Sequence, residues 1–142
     1  MLAKQLSIFL ENKSGTLVKV LDLFKQSQIQ LIAITIADTA EYGICRIICS
    51  EPTHAWEVLK EAGVAVALTD VFAIELDNKP GCGADAIKVF SDSGISIAYL
   101  YSFLVAGKGI LVFRTDNNEQ AREVIALNNL KFVTEDQLAT WV

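Results

Sequence analysis

A shift of 66 residues lays the second half of the chain on the first without a gap, bringing Gly15 onto Gly81. Ile8 then falls on Ile74, Leu10 on Leu76, Asn12 on Asn78 and Lys13 on Lys79. Phe24 meets Phe90, Ser27 meets Ser93, Ile29 meets Ile95, and Gly43-Ile44 meets Gly109-Ile110. Ala55, Glu57 and Val58 meet Ala121, Glu123 and Val124. One register held over so many positions means a duplication. Its period is too long for a solenoid repeat, so each copy reads as a small domain, residues 1–69 and 70–142.

Reading the copies together doubles the evidence for each element. Residues 4–11 and 70–77 are apolar-rich and precede a turn, which suits a first strand. Leu17, Val20, Leu21 and Phe24 recur at helical spacing, matched by Ala86, Ile87 and Phe90, so helices are expected over 15–27 and 81–93. The β-branched and aromatic runs Ile29–Ile36 and Ile95–Val105 suit second strands. Gly43 and Gly109 mark turns into third strands, 44–50 and 110–115. Pro52 suits the first turn of a second helix with Ala55, Val58, Leu59 and Ala62 inward. Asn117 is the matching cap for Ala121, Val124 and Ile125. Val64–Leu68 and Leu130–Val133 complete the halves as fourth strands. The order is βαββαβ twice: two ferredoxin-like α+β units, each an antiparallel sheet with its helices on one face. The units join with almost no linker. Beyond the second, Thr134-Glu135-Asp136-Gln137 fits a capping box for a short helix, with Trp141 as the anchor of that tail.

Composition narrows the function classes. The formal net charge of −5 is spread without blocks, and no basic patch speaks for nucleic acid. The longest uncharged stretch, Ser93–Gly107, has 15 residues and falls short of the ~18 expected of a membrane span. The first residues lack the ordered regions of a signal peptide, so the expected location is cytoplasmic. The three cysteines contain no CxxC pair and fit reduced structural thiols. His54 is the single histidine, which leaves no His-containing metal cluster or duplicated acid–base site. Neither a P-loop nor GxGxxG occurs. No enzyme, cofactor or metal is expected.

Chemistry concentrates at the turn from first strand to first helix, Glu11-Asn12-Lys13-Ser14-Gly15-Thr16-Leu17 and Asp77-Asn78-Lys79-Pro80-Gly81-Cys82-Gly83. Unpaired amides of a first helical turn favour a carboxylate, and Asn12 or Asn78 offers a donor and an acceptor beside them. An α-amino acid carries the matching charges. The same residues also suit an ordinary turn, with Gly at positive φ, and duplication alone would preserve that. Cys82, near a helix start, is read as a small packing residue, since no base or partner thiol lies nearby in sequence.

Asn78-Lys79-Pro80-Gly81, following an alternating strand and opening an apolar helix, resembles the opening motif of ACT domains, small amino-acid-binding regulatory modules. Asn12-Lys13-Ser14-Gly15 departs from it only at Ser14. The element order and the later glycine turn extend the resemblance over nearly the whole chain. The resemblance implies ligand binding between two domains set side by side, the loop of one facing the second strand of its neighbour. Ligand-binding positions carried over are Asn12, Lys13, Ser14, Gly15, Thr16 and Leu17 with Gln30, Leu31 and Ile32. Their twins are Asn78, Lys79, Pro80, Gly81, Cys82 and Gly83 with Ser96, Ile97 and Ala98. Some serine-binding members place His two residues before the Asn; Leu10 and Leu76 stand there, against serine specificity of that type. The smaller second loop leaves open that one site binds while the other is structural. The expected function is that of a free-standing tandem ACT protein, a homodimer that senses a small amino acid and regulates a target enzyme of amino-acid metabolism. The alternative is a regulatory subunit or interaction module without a small-molecule ligand.

Overall fold

The computed structural model describes residues 2–11, 13–38, 42–77 and 79–141. Lys4–Asp70 forms one compact unit, and Val71–Trp141 with Leu2 and Ala3 forms the other. The first unit holds β1 (Ala3–Glu11), α1 (Thr16–Gln26), β2 (Leu31–Asp38), β3 (Tyr42–Cys49), α2 (Pro52–Glu61) and the first part of β4 (Val66–Leu76). Its strands run in the order β2-β3-β1-β4, with β3 antiparallel to both β1 and β2. Alternation along β1 sends Leu6, Ile8 and Leu10 to one face, where Cys45 and Ile47 of β3 join them. Val20 and Phe24, one helical turn apart on α1, and Ala55 and Leu59 of α2 close that core. Pro52 opens α2 as expected, with no hydrogen bond to lose there. Cys45 and Cys49 are buried thiols, and burial pushes the Cys45 thiol up to about 11.

The second unit repeats the plan with the later part of β4, α3 (Cys82–Asp92), β5 (Ile97–Val105), β6 (Lys108–Thr115), α4 (Asn118–Leu127), β7 (Lys131–Phe132) and α5 (Glu135–Thr140). The order is β5-β6-β4-β7, all neighbours antiparallel. Its core is more aromatic. The Phe113 ring lies 5.7 Å from Phe72 and 5.0 Å from Phe90 between ring centres. Asn117 caps α4 by accepting from the Gln120 amide at 3.1 Å. Thr134 and Gln137 close the capping box of α5.

Two boundaries differ from the sequence expectation. The fourth strand of the first copy and the first strand of the second are one strand, β4, because residues 65–71 contain no Gly or Pro to end it. Conversely, the last strand shrinks to Lys131–Phe132, held between Asn129 at φ 53° and the cap of α5. Within the second unit Glu75 of β4, its side chain 17 % exposed, pairs with Lys108 at 3.1 Å and Lys131 at 3.3 Å. The hydrogen bonds of Lys108 and Lys131 hold its carboxyl below the usual 4.5. Lys108 in turn lies 5.5 Å from the centre of the Trp141 ring, tying the C-terminal tail to this cluster.

Phe90 is fully buried, so Phe90→Ala is expected to cost about 3–5 kcal/mol, read as a lower urea midpoint with an unchanged slope. For Glu75 the sign follows from its lowered folded pKa. Its stabilisation is full above the unfolded value of 4.5 and fades as the pH falls through the folded value. Melting temperatures of the wild type and Glu75→Gln should therefore differ at pH 7 and converge in acid.

Candidate functional site

Both copies build the same turn where the first strand meets the first helix. Gly15 sits at φ 90°, ψ −12° and Gly81 at φ 90°, ψ −14°. A Cβ built on either would meet nothing within 4 Å, so glycine is required by the backbone angle and not by space. The turns share their hydrogen bonds: the Lys13 amide donates to the Glu11 carbonyl at 2.8 Å, and the Lys79 amide to the Asp77 carbonyl at 2.9 Å. Neither α1 nor α3 has a side-chain cap at its start. The Thr16 and Cys82 amides donate back to the Lys13 and Lys79 carbonyls at 3.4 and 3.3 Å, so among the described residues it is the next two amides, Leu17 and Val18 or Gly83 and Ala84, that are left for solvent or an anion.

The loops differ in stiffness. In the first, the Thr16 hydroxyl lies 2.9 Å from both the Glu11 and Lys13 carbonyls and shares its single proton between them. An exposed Lys13–Glu11 pair at 2.9 Å spans the turn, lowering the carboxyl pKa and raising that of the ammonium. In the second, Cys82 replaces Thr16, and among the described residues no ion pair joins Lys79 to Asp77. Lys79, Cys82 and Gly83 line a cleft of about 320 Å³ whose far wall is Phe103, Leu104 and Gly109. Those wall residues escaped the sequence reading. Gly109 was the available signal, because a Cβ there would lie 3.3 Å from the Leu76 carbonyl oxygen. Asn12 and Asn78 lie outside the described residues.

The strand positions expected to face the ligand share a second device. The Gln30 amide donates to Ser50 Oγ at 3.1 Å, while the Gln30 carbonyl accepts from the Ser50 amide at 2.9 Å. Ser96 makes the same two bonds with Asp116, both at 3.2 Å. Immediately afterwards the ladder slips. Leu31 and Ala33 pair with the successive residues Cys49 and Ile48, leaving Ile32 as an extra residue. Ile97 and Tyr99 pair with Thr115 and Arg114, leaving Ala98 extra.

Within one unit, loop and strand start do not meet. Gly43 pairs with Leu10 at the loop end, and Cys49 pairs with Leu31 at the other. Six residues of β3 separate these ends, or ~20 Å at ~3.4 Å per residue. Gly109 and Thr115 mark the same separation on β6. His54 is exposed on α2, and among the described residues no three His, Cys, Asp or Glu side chains gather as a metal site. None of the helices among the described residues is long and apolar enough to cross a membrane.

The family model for an ACT domain pair matches residues 1–142. The chain belongs to the ACT domain family, as a tandem pair of such domains. Protein BT0572 from Bacteroides thetaiotaomicron has a similar crystal structure at TM-score 0.92 and 39% identity, over 98% of this chain and 96% of that one. The fold is also similar to the ligand-free regulatory subunit of aspartate kinase from Thermus thermophilus. There the TM-score is 0.62 at 16% identity, covering 89% of this chain and 93% of the other. The corresponding subunit from Thermus flavus gives 0.60 at 17% identity, over 89% and 90%. Comparison with curated proteins gives no match.

Replacing Gly15 or Gly81 by Ala is expected to cost about 1–2 kcal/mol of stability in denaturant unfolding, from backbone strain alone. Of the three thiols, half-buried Cys82 should be alkylated first by iodoacetamide in the native protein. Quenched time points read by peptide mass spectrometry check the order.

Proposed function

We propose that this ACT domain pair binds a small amino acid and through it regulates an enzyme of amino-acid metabolism, without catalysis of its own. The observation that carries the reading is the twice-built, uncapped helix start behind Gly15 and Gly81. The ligand's carboxylate lies on the first-turn amides of α1 or α3, beside Asn12 or Asn78. Its ammonium meets backbone carbonyls of residues 30–32 or 96–98 of another unit, in the same chain or in a second copy. Because Gln30 and Ser96 already exchange hydrogen bonds within their own unit, the bulge residues Ile32 and Ala98 are the positions best able to turn a carbonyl outward. The separation of loop from strand start within a unit supports a site completed by another unit. The role of the two Thermus proteins, regulatory subunits of aspartate kinase, supports the same class of function.

Thermal melting of the protein with each of the twenty amino acids tests this. A ligand of the folded state adds RT ln(1 + [L]/Kd), about 2.7 kcal/mol at a hundredfold excess over Kd. One or a few amino acids should raise the melting temperature, and Asn12→Ala or Asn78→Ala should remove the rise at the working loop. No shift with any of them at millimolar concentration overturns the sensor reading and leaves a module that acts through protein contacts alone.

A further inference from the structure

The duplication allows one groove to be compared in two settings. In the first unit Trp56, Val64 and Val66 pack against the core beside buried Leu59. Lys60 Nζ stands 4.6 Å from the centre of the Trp56 ring. Trp56 is thus half-buried against that core, and on its other side it lines, with Lys60, a cavity of about 510 Å³ along α2. The 66-residue shift puts Arg122 at the position of Trp56, Ile125 at Leu59, Ala126 at Lys60, Leu130 at Val64 and Phe132 at Val66. In the second unit those five residues line an open groove of about 290 Å³. Two side chains differ there: Arg122 and Ala126 stand where the first unit has the half-buried Trp56 and the Lys60 over its ring.

What remains has the makeup of a small-molecule site, apolar walls with one placed polar group, at about the lower end of the usual size range. Phe132 supplies an aromatic wall and is itself steadied edge-on by Phe72 at 6.4 Å. Arg122 stands at the rim, exposed, and among the described residues it has no ion pair or hydrogen bond. A guanidinium sheds water more readily than an ammonium and forks onto a carboxylate with two parallel bonds. We infer that the groove between α4 and β7 binds a small aromatic carboxylate, its ring against the core where the other unit packs the Trp56 indole and its carboxylate on Arg122. Among the described residues of the strand-to-helix loop, 77 and 79–83, none lines this groove.

Isothermal titration of the full chain with indole-3-acetate, and with neutral indole as the control, tests the inference. Saturable binding of indole-3-acetate is expected, with indole about tenfold weaker or worse and Arg122→Gln reducing affinity by about the same factor. The double variant Arg122→Trp with Ala126→Lys installs the first unit's core-packed indole and its lysine in the groove and should abolish binding. Its folding is checked by its melting temperature. Should it fail to fold, Arg122→Gln, at an exposed position, carries the test alone. No saturation at millimolar probe, or equal affinity in Arg122→Gln or in the folded double variant, overturns it.

Discussion

In both units the strand that leads into the first helix lies inside its sheet: β1 between β3 and β4, and the later part of β4 between β6 and β7. A chain leaving an interior strand has no free flank to turn into. It must climb off the sheet at once and come back over the face that Leu6, Ile8 and Leu10, or Phe72, Ile74 and Leu76, need covered. Glycine at positive φ makes that climb possible within a few residues, and the abruptness leaves the helix start uncapped. Core burial and the anion-favouring amides are thus two results of one geometric demand. The loop cannot be relaxed to improve one without disturbing the other.

Much of this was legible in the sequence, and what was not has definable causes. The register of the duplication, the helical spacing of Val20 and Phe24, and the alternation of β1 fixed the element order, because each depends on a period that residue types report. The join was misread because Ala65 to Val71 carries no mark that two strands had become one: it has no Gly or Pro, and Asp70 there suits a turn as well as a strand. The bulges at Ile32 and Ala98 were hidden by their surroundings. Ile29–Ile36 is apolar almost throughout, so it has no alternation whose slip could be seen. At the site, the loop residues could be named from Gly15 and Gly81. The wall formed by Phe103 and Leu104 could not, since it depends on the end of β5 returning beside the loop through Gly109.

The copies have kept their frame and diverged where the frame is indifferent. Thr16 locks one loop with a shared hydroxyl proton, while Cys82, a weak donor, leaves the other looser. Trp56 and Arg122 make the same point behind the second helix. Positions inside the cores hardly vary in kind: Phe24 and Phe90, Ala55 and Ala121, Leu59 and Ile125 remain interchangeable hydrophobes. Packing tolerates little change of volume, whereas a groove rim or a loop shoulder tolerates a change of charge or shape. Two loops and two grooves of unequal character on one repeated scaffold follow from that difference in tolerance.

The slips at the starts of β2 and β5 bear on solubility. Both strands are outermost in their sheets, and both present aliphatic side chains to solvent, Ile34 and Ile36 on one and Leu100 and Leu104 on the other. Straight, flat edges of that composition invite indefinite strand-on-strand growth. An extra residue at the head of each edge twists the backbone and breaks the even row of amides that a stacking neighbour would need. The chain can thereby keep an edge sticky enough to meet one matched surface while remaining a poor template for a fibre.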